Sequence, residues 1–232
     1  LTKDRAPINP YTEHLLKGME GKLKIGDVIL VAGRSRVSSI ISYLTQSPWT
    51  HVAMYIGRIS DFEGTDIYDQ LCPFFDCVDT HLIIESLPDT GYTISPLSNY
   101  NNDQVRVCRP RKLKVEQQQK LVKLAIDQLH MPSDVRHVVD MLRFLLPWHI
   151  IPRKWHSTLF TFKICEVSKM TCGVSTAIVF MRLGYLILPE IQLQNNEIFL
   201  TKRELGLFVP KDFDMSPYFN IIKPEPKSYE IQ

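Results

Sequence analysis

The chain has 232 residues, of which 44% are apolar and 22% are charged, and this composition is typical of a globular protein and excludes a disordered or collagen-like chain. Its 27 basic and 25 acidic residues leave a net charge of +2, which argues against a protein that coats nucleic acid through bulk charge. The length suits one large domain or two small ones, with a core that needs neither disulfides nor a structural metal.

The first half of the chain predicts a sheet built from short strands. A short helical stretch at 11–20 comes first, and a second helical pattern at 38–46 ends before Pro48, which cannot continue a helix. The segment 60–80 is irregular and acidic, and we interpret it as a surface insertion. Five apolar runs bounded by turn-forming residues predict strands at 28–32, 51–57, 81–85, 92–95 and 105–108.

The second half of the chain is dominated by helical patterns. Apolar residues recur at helical spacing over three segments, which predict helices at 115–130, 134–146 and 172–183. We interpret 191–232, where short apolar runs alternate with turns, as a C-terminal extension of a core at about 20–190. We therefore predict a single α+β domain over 1–232, with an antiparallel sheet packed against helices.

The cysteines are five in number and scattered, which argues against a disulfide framework. Cys72 and Cys77 are spaced C-x4-C, but no second pair at ligand spacing follows, so we predict neither a metal site nor a cofactor. Free thiols favour the cytoplasm, while a chain that begins at Leu1 leaves export open. No apolar run of about 18 residues is present, so we expect no transmembrane helix.

Cys172 stands at the start of a predicted helix, where a thiol can be activated. The free N–H groups and the positive dipole end of a helix N-terminus favour a thiolate, and the same N–H groups can hold an oxyanion. Gly173 follows it and removes side-chain bulk where a substrate carbonyl would approach. These features predict a nucleophile, although a cysteine early in an apolar helix is more often a core residue.

Two other residues complete a candidate set for thiol chemistry. His51 opens a predicted strand after the loop 47–50, and Glu85 closes another strand. A thiol nucleophile needs a base that takes its proton and an acceptor that orients that base. If the two strands are neighbours in one sheet, the imidazole and the carboxylate can meet. On spacing alone, a surface histidine and a solvated glutamate are the more frequent interpretations.

Motifs around these residues carry a family resemblance. Gly26-Asp27-Val28-Ile29 begins it, and the pattern S-P-x-x-H-x-x-x-Y-x-G follows from Ser47 to Gly57. The matching segments continue at 82–85, 94–97, 105–110, 125–129, 171–173 and 184–189. Together these motifs resemble the circularly permuted papain-like cysteine hydrolases of the YiiX/YebB type, within the NlpC-type amidase superfamily. The resemblance runs in register over roughly 20–190.

The resemblance implies a permuted papain-like fold and assigns roles to the candidate residues. By it, Cys172 is the nucleophile, His51 the base and Glu85 the orienting acid. The substrate and oxyanion neighbourhood then consists of Gly173, Thr171, Trp49 and Tyr55. One departure is that relatives often carry serine after the nucleophile, where this chain has glycine.

The function expected from this resemblance is a cysteine-dependent hydrolase or acyltransferase that cleaves an amide, ester or thioester bond through an acyl-enzyme on Cys172. The acyl-bearing substrate is either a peptide or a lipid. The alternative is a catalytically silent binding module on the same fold, and a redox or metal protein built on Cys72 and Cys77 is a weaker third.

The aromatic and basic segment 137–162 bears on the choice of partner. Its composition suits an amphipathic element at a membrane surface, which would associate the protein with lipid. It also suits a core helix followed by a lid loop, which we favour. We expect no nucleic-acid partner.

Overall fold

The computed structural model describes residues 16, 18–72, 75, 77–129, 131, 172–194, 197–201, 203, 205 and 208–223. The predicted helix at 134–146, the segment 137–162, Cys165 and Thr171 lie outside these residues.

A six-stranded antiparallel sheet forms the centre of the described fold. Its strands are β1 (Val28–Ala32), β2 (His51–Arg58), β3 (His81–Leu87), β4 (Gly91–Pro96), β5 (Gln104–Pro110) and β8 (Phe219–Ile222). They lie in the order β4-β3-β2-β1-β5-β8. A separate hairpin consists of β6 (Glu190–Gln194) and β7 (Glu197–Thr201). The α+β architecture with an antiparallel sheet confirms the predicted class.

Five α-helices are described: α1 (Arg36–Thr45), α2 (Asp66–Leu71), α3 (Val115–Ile126), α4 (Cys172–Arg182) and α5 (Pro210–Met215). Local sequence fixes the ends of α1, because the Ser35 hydroxyl accepts the Ser38 N–H at its start and Gln46 adopts a left-handed conformation at its end. Among the described residues, no helix is long and apolar enough to cross a membrane.

The sheet is covered on both faces, which explains why β1 is a continuous apolar run rather than an alternating one. One face packs against α3 and α4 and forms the larger core. The opposite face carries a thinner layer, to which the 3₁₀ helix Leu97–Tyr100 contributes Leu97 and Tyr100. Leu16 and Leu23, which precede β1, also pack in this layer.

Residues 208–223, within the segment that we interpret as a C-terminal extension, pack in the main core. β8 pairs with β5, and the buried ring of Phe219 lies 5.4–5.7 Å from the rings of Phe180, Phe213 and Tyr185. The segment 60–80 is likewise more ordered than predicted, because it contains α2 and buries Leu71 in the larger core.

A buried ion pair joins the start of β1 to the end of β5. The Asp27 carboxylate is fully buried and accepts hydrogen bonds from Arg109 Nε at 2.8 Å and Nη2 at 2.7 Å, and from the Lys24 N–H. In Asp27→Ala the guanidinium would lose its buried partner, so we expect the free energy of unfolding to fall by about 3–5 kcal/mol. Urea titration measures this change.

The control for this prediction is Asp79→Ala. Asp79 forms a 3.9 Å pair with Arg58, and its side chain is 73% exposed. Its loss should change the free energy of unfolding by less than about 1 kcal/mol. An Asp27→Ala variant as stable as the Asp79→Ala variant would contradict the argument.

Candidate active site

Cys172 is the first residue of α4, and the first turn of this helix is held by side chains. Ser175 Oγ and Thr176 Oγ1 donate hydrogen bonds to the Cys172 carbonyl oxygen at 3.0 and 3.1 Å. Residues 173–180 are buried, and the helix packs against β2 and β3. The helix therefore presents the half-buried thiol at a fixed position beside the sheet.

Gly173 lies against the backbone of the C-terminal segment. A Cβ at this position would stand 2.8 Å from the Phe208 carbonyl oxygen, a distance that real Cβ atoms do not reach. The missing side chain thus makes room for the chain at Phe208. This explains the glycine in place of the serine expected from the resemblance, and differs from our prediction that it leaves open space for a substrate.

His51 and Glu85 lie on neighbouring strands, as their predicted contact requires. Ala53 in β2 is opposite Glu85 in β3, and alternate residues of a strand share a face, so His51 and Glu85 are diagonal neighbours on one face. His51 Nε2 and Glu85 Oε2 are 2.7 Å apart, and the carboxylate is 1% exposed. The structure therefore brings the imidazole and the carboxylate together.

The thiol joins this pair through the imidazole. The Cys172 and His51 side chains are hydrogen-bonded, and since Nε2 faces Glu85, Nδ1 is the nitrogen left for the sulfur. Burial disfavours the imidazolium, but hydrogen bonds to Cys172 and Glu85 and their charges raise the pKa of His51 to about 10. His51 is thus held protonated between the Cys172 thiol and the Glu85 carboxylate.

The electrostatics of the thiol mirror those of the imidazole. Burial alone would raise the pKa of Cys172, but the hydrogen bond to His51 and its charge, with the N–H groups of Val52 and Gly173, hold this pKa below its ordinary value. For Glu85, burial is likewise outweighed by the hydrogen bond and charge of His51, which lower the pKa of the carboxylate. The arrangement favours a thiolate–imidazolium pair backed by a carboxylate.

Tyr100 is a site residue that the sequence reasoning missed. Its hydroxyl donates a short hydrogen bond to Glu85 Oε2, and its ring is stacked on His51 with centroids 5.8 Å apart. In the sequence it stands in a turn beside Asn101 and Asn102, where the pattern indicates only a chain reversal. Only the path of the chain across the sheet brings it to the site.

Trp49 anchors the loop before His51 rather than facing a substrate. It is 3% exposed, its Nε1–H donates to Asp214 Oδ2 at 3.1 Å, and the Arg106 guanidinium lies 4.8 Å above its ring. Since Asp214 belongs to α5, the C-terminal segment holds in place the loop that leads into His51. The prediction that Trp49 lines the substrate site is not supported by this geometry.

Tyr55 lies further along β2 than His51, and its assignment to the substrate neighbourhood stays a prediction. It shares a face with His51, but the four residue steps between them span about 13 Å of strand. Its buried hydroxyl lies 2.7 Å from His81 Nδ1. Thr171, the remaining predicted neighbour, lies outside the described residues.

Comparison with known families decides the relationship. Residues 22–143 match a family of permuted papain-like amidase enzymes, described as YaeF/YiiX, C92 family. This match covers more than half of the chain. The chain belongs to this family. The predicted resemblance is confirmed, and the matched range includes His51 and Glu85 but ends before Cys172.

A solved structure agrees with this assignment. The crystal structure of the metalloprotein YiiX from Escherichia coli O157:H7 matches with a TM-score of 0.53 and 18% identity, covering 87% of this chain and 97% of that one. At this identity the likeness shows the fold, so the predicted permuted papain-like fold is confirmed. No curated protein matches.

The name of that structure raises the question of a metal. Over the part of this chain that the structure describes, no group of three or more His, Cys, Asp or Glu side chains could hold a metal ion. The described side chains therefore do not fit a metal ion. The absence of a metal or a cofactor from the protein stays a prediction.

Proposed function

We propose that this chain is a cysteine-dependent hydrolase or acyltransferase that cleaves an amide, ester or thioester bond through an acyl-enzyme on Cys172. The observation that carries the proposal is the hydrogen-bonded series of Cys172, His51 and Glu85. Membership of an amidase family supports an amide or related acyl substrate. Such a series is the arrangement that nucleophilic catalysis by a thiol requires.

Acylation begins with the Cys172 thiolate, which attacks the substrate carbonyl carbon and forms a tetrahedral oxyanion. Backbone N–H groups at the start of α4 are suited to stabilise this oxyanion, since they point out of the helix end. As the intermediate collapses, the bond to the leaving group breaks and His51 gives its proton to that group. The products of this half-reaction are a thioester on Cys172 and a free amine, alcohol or thiol.

Deacylation uses the same residues in the reverse roles. Neutral His51 takes a proton from water, or from another acceptor in a transferase, and the oxygen attacks the thioester carbonyl. The C–S bond then breaks, which releases the acid and restores the thiolate beside the imidazolium. Glu85 keeps the ring oriented and balances its charge in both half-reactions.

The proposal is tested by the reactivity of the thiol. At about pH 6.5 a limiting amount of iodoacetamide should alkylate Cys172 at least about tenfold faster than the exposed Cys72 and Cys77, because His51 holds Cys172 as the thiolate, which is the reactive form. Buried Cys108, whose pKa burial raises to about 12, should stay unlabelled. Peptide mass spectrometry of a time course gives the rate at each cysteine.

The silent binding module is the outcome that would replace this function. In that case Cys172 would react no faster than Cys72 and Cys77. Both a peptide and a lipid substrate stay predictions. Contact with a membrane through 137–162 also stays a prediction, since that segment lies outside the described residues.

A further inference from the structure

Tyr100 touches both partners of the thiol from the face of the sheet opposite α4. Its hydroxyl donates to Glu85 Oε2, the same oxygen that lies 2.7 Å from His51 Nε2. Its ring is stacked on the imidazole at an interplanar angle of 27°. One side chain therefore fixes both the carboxylate and the plane of the imidazole.

We propose that Tyr100 is a positioning residue, which acts through Glu85 and His51 to maintain the thiolate–imidazolium pair at Cys172. This inference rests on the proposed function and adds a fourth member to the set that the sequence indicated. Tyr100 is not itself suited to attack or to exchange protons with a substrate, because its hydroxyl is already committed to Glu85.

The surroundings of Tyr100 suit a permanent donor. Burial, and the nearby charge of Glu85, raise the pKa of Tyr100 far above its ordinary value, so its proton stays in place over the working pH range. The titratable and polar groups that face Glu85 and Tyr100 come from every neighbouring element: His51, Ser95, Asp103 with its partner Arg34, and Cys172.

The hydroxyl has a definite electrostatic effect on the site. A buried carboxylate is costly unless donors satisfy it, and the bond from Tyr100 favours the ionised form of Glu85. Without that bond Glu85 takes up a proton at higher pH. A protonated Glu85 no longer balances the imidazolium, so the ion pair with Cys172 reverts to neutral thiol and neutral imidazole.

The test is the pH dependence of Cys172 alkylation by iodoacetamide in Tyr100→Phe, which keeps the stacked ring and removes only the hydroxyl. The acid limb of the rate profile should move to higher pH by about one unit, since a hydrogen bond to a charged group is worth roughly tenfold in a protonation equilibrium. The matched control is Tyr92→Phe. Tyr92 is fully buried, and its hydroxyl has no hydrogen-bond partner among the described residues, so its profile should not move.

A double-mutant cycle separates this role from a merely structural one. In a Glu85→Gln background, Tyr100→Phe should cause no further shift, because the carboxylate through which Tyr100 acts is gone. If Tyr100→Phe does not fold, Tyr100→Leu, which fills part of the same space and has no side-chain donor for Glu85, is measured in the same cycle.

The possible outcomes distinguish the two proposals. A wild-type Cys172 that is no more reactive than Cys72 and Cys77 would overturn the proposed function, and this inference with it. A reactive wild-type Cys172 whose acid limb is unchanged in Tyr100→Phe would overturn the role of Tyr100 alone. Shifts that simply add in the double variant would also overturn it.

Discussion

Cys172→Ala is expected to lose about 10⁴-fold or more of the acyl-cleaving activity while the protein stays folded. Without the sulfur no thioester forms, and only the oxyanion donors and binding contribute to the rate. The fold is expected to survive because Cys172 is half-buried at a helix end and its neighbours in α4 carry the packing. Release of p-nitroaniline from a panel of acyl p-nitroanilides measures the activity, and circular dichroism measures the fold.

The chain offers a matched control for this substitution. Cys77→Ala makes the same chemical change at an exposed thiol outside the site, and its activity should equal that of the wild type. Cys172→Ser retains a nucleophile of much lower acidity and should be almost as inactive as the alanine variant. Undiminished turnover in Cys172→Ala would rule out an acyl-enzyme on this residue.

The elements that position the site could be predicted because their signals are local. The run 28–32 is apolar and β-branched between two glycines, and the structure has β1 at the same residues. The starts of β2, β3 and α4 were also predicted at His51, His81 and Cys172. In each case a turn-forming segment precedes an uninterrupted pattern of apolar residues. The turn then marks where the element begins, and the period of the pattern shows whether it is a strand or a helix.

The elements that the sequence reasoning missed depend on contacts between distant parts of the chain. β8 has four residues and two exposed side chains, and only its pairing with β5, more than 100 residues earlier, makes it a strand. For the same reason, no local pattern indicated that Asp214 would bind Trp49. The alternation of side chains along a strand correctly places Tyr55 on the same face of the sheet as His51. It does not show how far along the strand Tyr55 lies from the site.

His51→Ala is expected to slow the alkylation of Cys172 at pH 7 by about 100-fold. The variant removes the cation that holds the thiolate, and burial then keeps the pKa of Cys172 at or above its ordinary value of 9.0. A thiol of that acidity is about 1% ionised at pH 7, which sets the size of the loss. Iodoacetamide labelling followed by peptide mass spectrometry measures the rate.

The matched control is His81→Ala, since His81 stacks on Tyr55 in nearly the same geometry as His51 on Tyr100, with centroids 5.7 Å apart and an angle of 28°. It should lose a similar ring contact and leave the labelling rate of Cys172 unchanged. A fall of the same size in both variants would mean that general destabilisation, rather than the base, controls the thiol.

The pH dependence gives this prediction a sign as well as a size. Folding raises the pKa of His51 from 6.5 to about 10, so protonated His51 stabilises the native state fully below 6.5, and this contribution is lost as the pH rises through about 10. The wild-type thiolate therefore needs no alkaline solution, whereas the thiol of His51→Ala ionises only as the pH approaches or passes 9.0. The ratio of the two labelling rates should be large near neutral pH and shrink steadily towards pH 10, and a ratio that does not vary with pH would contradict the ion pair.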